Sequence, residues 1–207
     1  MDAESFTDAV EAANQSELDR LGSSKRLVAV TGADLSPETV LARAAASEAA
    51  AASVFADLAD ASEGDAAEAF AALAETERDH YDRVTDELGE DVDAEAGAVH
   101  AFLREQGDAV SRAGATVGRG LVADRTLAQF VGFFVNDADE SRADRFRGLR
   151  DDTRRDTDRA LDLLEAHCES GDDWERAEAA ATGAVQAAYE EYVAALNEMG
   201  VDAKSVC

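Results

Sequence analysis

Glu48 and the pair Glu77-x-x-His80 are the residues of this chain whose types and spacing suit chemistry. Each interrupts an apolar stripe of helical period. Leu41, Ala44/Ala45, Ala51/Ala52, Phe55 and Leu58/Ala59 surround Glu48, while Ala67, Phe70, Leu73/Ala74, Val84 and Leu88 surround Glu77 and His80/Tyr81. A charge in such a seam costs several kcal/mol unless it is paired or bound to a metal. Two carboxylates and an imidazole suit iron or manganese, because carboxylates neutralise hard cations. The i,i+3 spacing sets Glu77 and His80 on one helix face.

The elements around these residues must bring them to one depth, and the punctuation does so. Ser36-Pro37-Glu38 reads as a helix start, with Ser36 as cap, proline at the first helical position and an acid in the first turn. That helix runs to about Ser62, and Glu63-Gly64-Asp65 stops it and opens a second helix reaching Leu88 before Gly89. Glu48 lies 16 residues before Gly64 and Glu77 lies 13 after it. An antiparallel pair turning there places Glu48, Glu77 and His80 within about one helical turn of each other along the axis.

Composition sets the wider frame. The chain has 207 residues, 46 % of them hydrophobic, enough for one domain with a sizeable core. One proline, abundant alanine and few β-branched runs predict an all-α protein. Its 46 acidic against 19 basic residues give a net charge of −27, which excludes nucleic acid and anionic membrane as partners. Lysine stands only at Lys25 and Lys204, and the carboxylate-rich surface reads as halophile-adapted, its repulsion screened in concentrated salt. No run is long enough to span a bilayer, and the N-terminus lacks a signal-peptide pattern, so a cytoplasmic protein is expected. Cys168 and Cys207 suggest no disulfide framework, and Cys168 reads as a small core residue.

Along the chain, residues 1–35 read as an N-terminal helix and loop, 36–200 as a helical bundle and 201–207 as a tail. Arg26 to Asp34 reads as extended or loop. A third helix is expected over about 94–113, ending in the glycine-dotted stretch Gly114 to Gly120. From Asp124 to Glu169 no strong breaker appears. A single helix of that length would be about 69 Å, too long for a compact domain, so two helices are expected with a break between Gly148 and Thr153. Ser170-Gly171-Asp172 then opens a last helix to Met199, which Trp174 anchors. His100 reads as a surface or crossover residue.

Ser47-Glu48, Phe55 seven residues on, Ala71-Ala72-Leu73-Ala74-Glu75 and Glu77-Arg78-Asp79-His80-Tyr81 resemble the first helix pair of rubrerythrin-type proteins of the ferritin-like superfamily. The resemblance covers about residues 36–88. It implies a ferritin-like antiparallel four-helix bundle with additional helices, and a di-iron or manganese carboxylate site. Glu48 would be a terminal ligand, Glu77 a bridging ligand and His80 a terminal nitrogen ligand. The implied activity is an oxidoreductase acting on peroxide, dioxygen or ferrous iron, a non-haem di-iron peroxidase or ferroxidase. With no CxxC motif to form a rubredoxin module, an external electron donor is expected, and the assembly allows a homodimer.

The family repeats its pattern in a second helix pair, whereas this sequence has no second Glu-x-x-His. The nearest substitutes are Asp139, within Asn136-Asp137-Ala138-Asp139-Glu140, and Glu165 with His167. A turn near Asp152 would leave Asp139 and Glu165 13 residues away on either side and bring Asp139, Glu165 and His167 to one level. Glu190 or Glu191, flanked by Tyr189 and Tyr192, is the alternative pair. The competing reading is a metal-free helical bundle serving as an interaction or scaffold protein.

Overall fold

The structure is a computed structural model that describes residues 1–203. Cys207 lies outside the described residues. Among those described, nine helices form and no strand does: α1 (Ala3–Ala13), α2 (Gln15–Leu21), α3 (Ser24–Thr31), α4 (Pro37–Asp60), α5 (Gly64–Leu88), α6 (Ala98–Arg104), α7 (Ala109–Asn136), α8 (Glu140–His167) and α9 (Gly171–Glu198). No helix of the described residues is long and apolar enough to cross a membrane.

The first long pair forms as its punctuation predicts. The Ser36 hydroxyl accepts from the Thr39 N–H, Pro37 occupies the first helical position, and Gly89 closes α5 in the left-handed region at φ 80°. Two hairpins, α4/α5 and α7/α8, meet chiefly through α5 and α8, and α9 lies along α7. The long connection between hairpins, which carries α6, makes α5 and α7 run in the same direction. The segment read as a loop after Arg26 is instead the short helix α3, which tucks Leu27 into the core.

The later boundaries differ from the sequence reading, and the causes are physical. α7 runs unbroken through Gly114, Gly118 and Gly120. A Cβ at Gly114 would meet the Ala177 carbonyl oxygen at 2.3 Å, and one at Gly118 the Ala181 oxygen at 2.2 Å. These glycines let two backbones touch; they do not break the helix. α8 likewise passes through Gly148 and Thr153 without interruption. The turn between the hairpin helices falls earlier, where Ala138 adopts φ 59° and the Asp139 carboxylate caps α8 by accepting the Arg142 N–H at 3.0 Å.

The core is divided. One apolar cluster takes Ala51 to Leu58 of α4, Ala66 to Ala74 of α5, Val110 to Val122 of α7 and Ala160 to Leu164 of α8. The other takes Val40 to Ala45, Val84, Leu127 to Phe134 and Ala143 to Leu149 of the same four helices. Between the two clusters, at matched depth on all four helices, lie Glu48, Glu77, His80, Arg119, Thr153 and Asp156.

The glycine contacts predict opposite effects of one substitution at two places. Gly118→Ala should cost about 1–3 kcal/mol despite alanine's better helix propensity, because Ala181 backbone must move. Gly132→Ala, on the same helix with nothing within 4 Å, should gain roughly 0.5–1 kcal/mol. Thermal unfolding followed by circular dichroism should shift the two variants in opposite directions.

Candidate metal centre

α4 and α5 converge on three ligand-type side chains, Glu48, Glu77 and His80, which offer ligand atoms all within 4.8 Å of one another. All three are buried, Glu77 and His80 completely. His80 Nδ1 lies 3.6 Å from Glu48 Oε2 and 3.7 Å from Glu77 Oε2. On its other side, His80 Nε2 is 3.3 Å from Asp152 Oδ2 of α8, and Arg83 Nη1 donates to that same oxygen at 3.0 Å. Asp152 thereby orients the ring and leaves Nδ1 facing the two glutamates, the arrangement in which a carboxylate behind an imidazole supports a metal ligand.

Glu77 Oε2 and His80 Nδ1 are buried without any hydrogen-bond partner. An orphaned acceptor and an orphaned ring nitrogen pointing at one space, with a third oxygen beside them, fit one small divalent cation.

The other half of the layer is not a second ligand set. Arg119 of α7 donates from Nη1 to Glu77 Oε1 at 2.5 Å, and its Nη2 lies 3.9 Å from Glu48 Oε2. Its guanidinium stacks over Phe55, 5.6 Å from the ring centroid. Asp156 of α8 is buried with Oδ2 unpartnered, while its Oδ1 accepts from Arg159 at 2.7 Å. A fixed guanidinium therefore occupies the position opposite the glutamates, and the residues present suit one ion and not two.

Asp139, Glu165 and His167 do not come to this level. Asp139 and Glu165 lie near opposite ends of the continuous α8, about 39 Å apart at 1.5 Å per residue. Asp139 is spent as a helix cap. Glu165 Oε1 accepts the Ala3 N–H at 3.1 Å, and His167 Nε2 is 3.0 Å from Asp65 Oδ1, at the far end of the bundle. Glu191 is also elsewhere, holding the Ala98 N–H at 2.9 Å at the start of α6.

Sequence reasoning missed Arg119 and Asp156, although the seam argument applies to both. Thr116, Arg119/Gly120, Leu127, Phe130 and Phe134 form one stripe on α7. Phe146, Leu149, Thr153, Asp156, Ala160 and Leu163/Leu164 form another on α8, with a single carboxylate in it.

The electrostatics follow from burial and pairing. Burial, with the Glu77 charge next to it, raises Glu48 to about 7. Burial would raise Glu77 too, but Arg119 outweighs it and holds Glu77 ionised, well below the usual carboxylate range. Burial opposes charge on His80, but the two glutamates overcome it and raise His80 to about 10. Asp156 is pushed up to about 6 by burial and by the Glu77 charge.

His100 is buried, contrary to the surface position expected for it; its Nδ1 accepts the Gly97 N–H at 3.2 Å. Burial and the Arg119 charge depress it to about 3.

Comparisons with protein-family models, with curated proteins and with solved structures return no match to this chain. The reading of its function therefore stands on the site itself.

Two outcomes follow. Arg119→Gln strands Glu77 as an unpaired buried charge and should cost the metal-free protein about 3–5 kcal/mol. Manganous ion should restore part of that loss in a denaturant titration, since a cation replaces the missing charge. The second concerns His100, whose folded-state pKa of about 3 lies below the ordinary histidine value of 6.5. Between those values the unfolded chain holds the extra proton, so this residue makes stability fall as pH drops from 6.5 toward 3. The slope is about 1.4 kcal/mol per pH unit. Urea midpoints across that window should be flatter in His100→Gln than in the parent protein.

Proposed function

We propose that this chain is a ferritin-like, rubrerythrin-like helical protein that holds a single iron or manganese ion on Glu48, Glu77 and His80. In this reading it acts as an oxidoreductase on a small oxidant. The observation that carries the reading is the pair of buried, unpartnered atoms, Glu77 Oε2 and His80 Nδ1, facing Glu48 Oε2. The helix directions support it as well: two antiparallel hairpins joined by a long connection, with α5 and α7 parallel, follow the order of a bundle with one crossover. Bound there, the ion would exchange an electron with peroxide or dioxygen, recharged by an external donor.

The chain's own residues have separable tasks in this reading. Glu48 and Glu77 supply two negative charges, and His80, its Nε2–H donating to Asp152, would supply the Nδ1 lone pair after releasing its Nδ1 proton to solvent when a cation arrives. Glu48 releases the proton it holds near neutrality when a cation arrives. Arg119 fixes Glu77 through its other oxygen and supplies the positive charge that a second metal would bring. The two apolar clusters above and below the layer exclude bulk water. Two-electron chemistry at a metal pair, which the family resemblance implies, lacks its second ligand set here.

A second reading rests on the Arg119–Glu77 bond itself. With His80 charged and shared between both glutamates, the layer balances as an ion-pair network in a metal-free interaction or scaffold protein.

Metal content per chain separates the two. Protein purified in molar potassium chloride without chelator should carry about one iron or manganese per chain by plasma mass spectrometry, with none in Glu77→Ala/His80→Ala. Near zero in both, even after anaerobic ferrous loading, would overturn the metal reading in favour of the network. Two ions per chain would contradict the role given to Arg119.

A further inference from the structure

Beside the polar layer, a cavity of about 280 Å³ opens between α3, α4, α6 and α9, lined among others by Arg26, Ser47, His100 and Tyr192. It shares Arg26, Ser47 and His100 with a smaller, more enclosed space of about 80 Å³ that reaches Glu48 and Arg119.

Among the charged residues lining the cavity, Arg26 and Glu191 have no ion-pair partner within 4.0 Å among the described residues. Arg43 is paired with Glu95, and Arg119 with Glu77. Glu191 Oε1 is held by the Ala98 N–H. Arg26 donates only from Nε, to Thr126 Oγ1 at 3.1 Å; no carboxylate of the described residues lies within 4.0 Å of its guanidinium, and neither terminal nitrogen has a partner there. Burial pulls Arg26 below its ordinary value, and the more distant charge of Glu191 offsets this only in part. A guanidinium that faces a cavity with two free donor nitrogens is a fork for a carboxylate.

A second observation points to the same occupant. Tyr192 is 1 % exposed, and its hydroxyl has no hydrogen-bond partner. A buried phenol without a partner costs roughly 1–3 kcal/mol, and a bound acceptor would remove that cost. The remaining walls include Ala29, Val30, Val99 and Ala195, which offer apolar surface and no further charge.

We propose that this cavity binds a small organic monoanion, its carboxylate held by Arg26 and the Tyr192 hydroxyl and its hydrocarbon body on Val30 and Val99. The two free donor nitrogens of Arg26 match the two oxygens of one carboxylate, and the apolar walls select an organic acid over an inorganic ion. The site stands whether or not the polar layer holds a metal. In a chain of net charge −27 the long-range field repels anions, so affinity must come from these local contacts.

Isothermal titration of the full chain with butyrate and with benzoate in molar potassium chloride tests it, with nitrate and butylammonium as comparison probes. Butyrate or benzoate should bind, and butylammonium should not. Arg26→Gln should weaken binding by about tenfold or more, the loss of a charge-assisted pair. Tyr192→Phe, which keeps the ring and its packing, should weaken it by roughly three- to tenfold. Circular dichroism of both variants should match the parent. No binding of either acid by the parent, or equal binding in a folded Arg26→Gln, would overturn the proposal. So would nitrate binding as tightly as butyrate, because the apolar walls would then contribute nothing.

Discussion

The bond between Arg119 and Glu77 is the constraint on which the rest of the structure depends. Glu77 is wholly buried, and a buried carboxylate without a partner would drive the bundle open. Arg119 reaches it only because α7 stays helical through its glycines and lies close against α9. His80 and Glu48 then arrange themselves around the remaining oxygen of Glu77, with Asp152 behind the imidazole. Each hairpin supplies charges the other needs: two carboxylates and an imidazole from α4/α5, a guanidinium and two aspartates from α7/α8. Facing Glu48, the arrangement leaves Glu77 Oε2 and His80 Nδ1 without hydrogen-bond partners, and the proposed chemistry is confined to the space between them.

The half of the site on α4 and α5 was legible in the sequence because three local signals agreed. A carboxylate broke each apolar stripe, Ser36-Pro37 and Gly64 fixed the helix ends, and residue counts from Gly64 set the depth. The half on α7 and α8 was hidden by tertiary causes. Glycine at 114, 118 and 120 carries a local helix penalty of about 1 kcal/mol each, which reads as a break until the α9 backbone against Gly114 and Gly118 and the Thr157 side chain of α8 against Gly120 are known. With α7 taken to end early, Arg119 fell in a supposed loop. Gly148 to Thr153 reads as the interruption because a single helix from Asp124 to Glu169 would be too long; the break falls instead at Ala138, and the arginines of α8 that pair along it and with Asp124 of α7 become evident only with both helices in place. Asp139 shows the limit of counting positions. Its carboxylate is consumed by the helix start that Ala138, in the left-handed region, makes necessary.

The open cavity and the polar layer are built on contrasting principles. In the layer every strong charge has an opposite neighbour, and the charged groups are nearly all buried. In the cavity a guanidinium and a phenol are left with donors to spare, and the space between them adjoins Glu48 and Arg119. The acidic exterior contributes to neither; its many carboxylates pair locally with arginines along α8 or face solvent.

Alanine-rich helices present smooth, nearly repetitive surfaces, so apolar packing alone distinguishes poorly between one axial alignment of two helices and the next. The divided core removes that ambiguity. Sliding α5 by a single turn of about 5.4 Å would carry Glu77 and His80 out of reach of Arg119 and Asp152 and into one of the two hydrocarbon clusters. The penalty for each displaced charge is several kcal/mol, far more than a bundle of small side chains could recover by repacking. The charged layer thus serves as an index mark, setting the longitudinal position of four helices whose apolar faces would otherwise accept several.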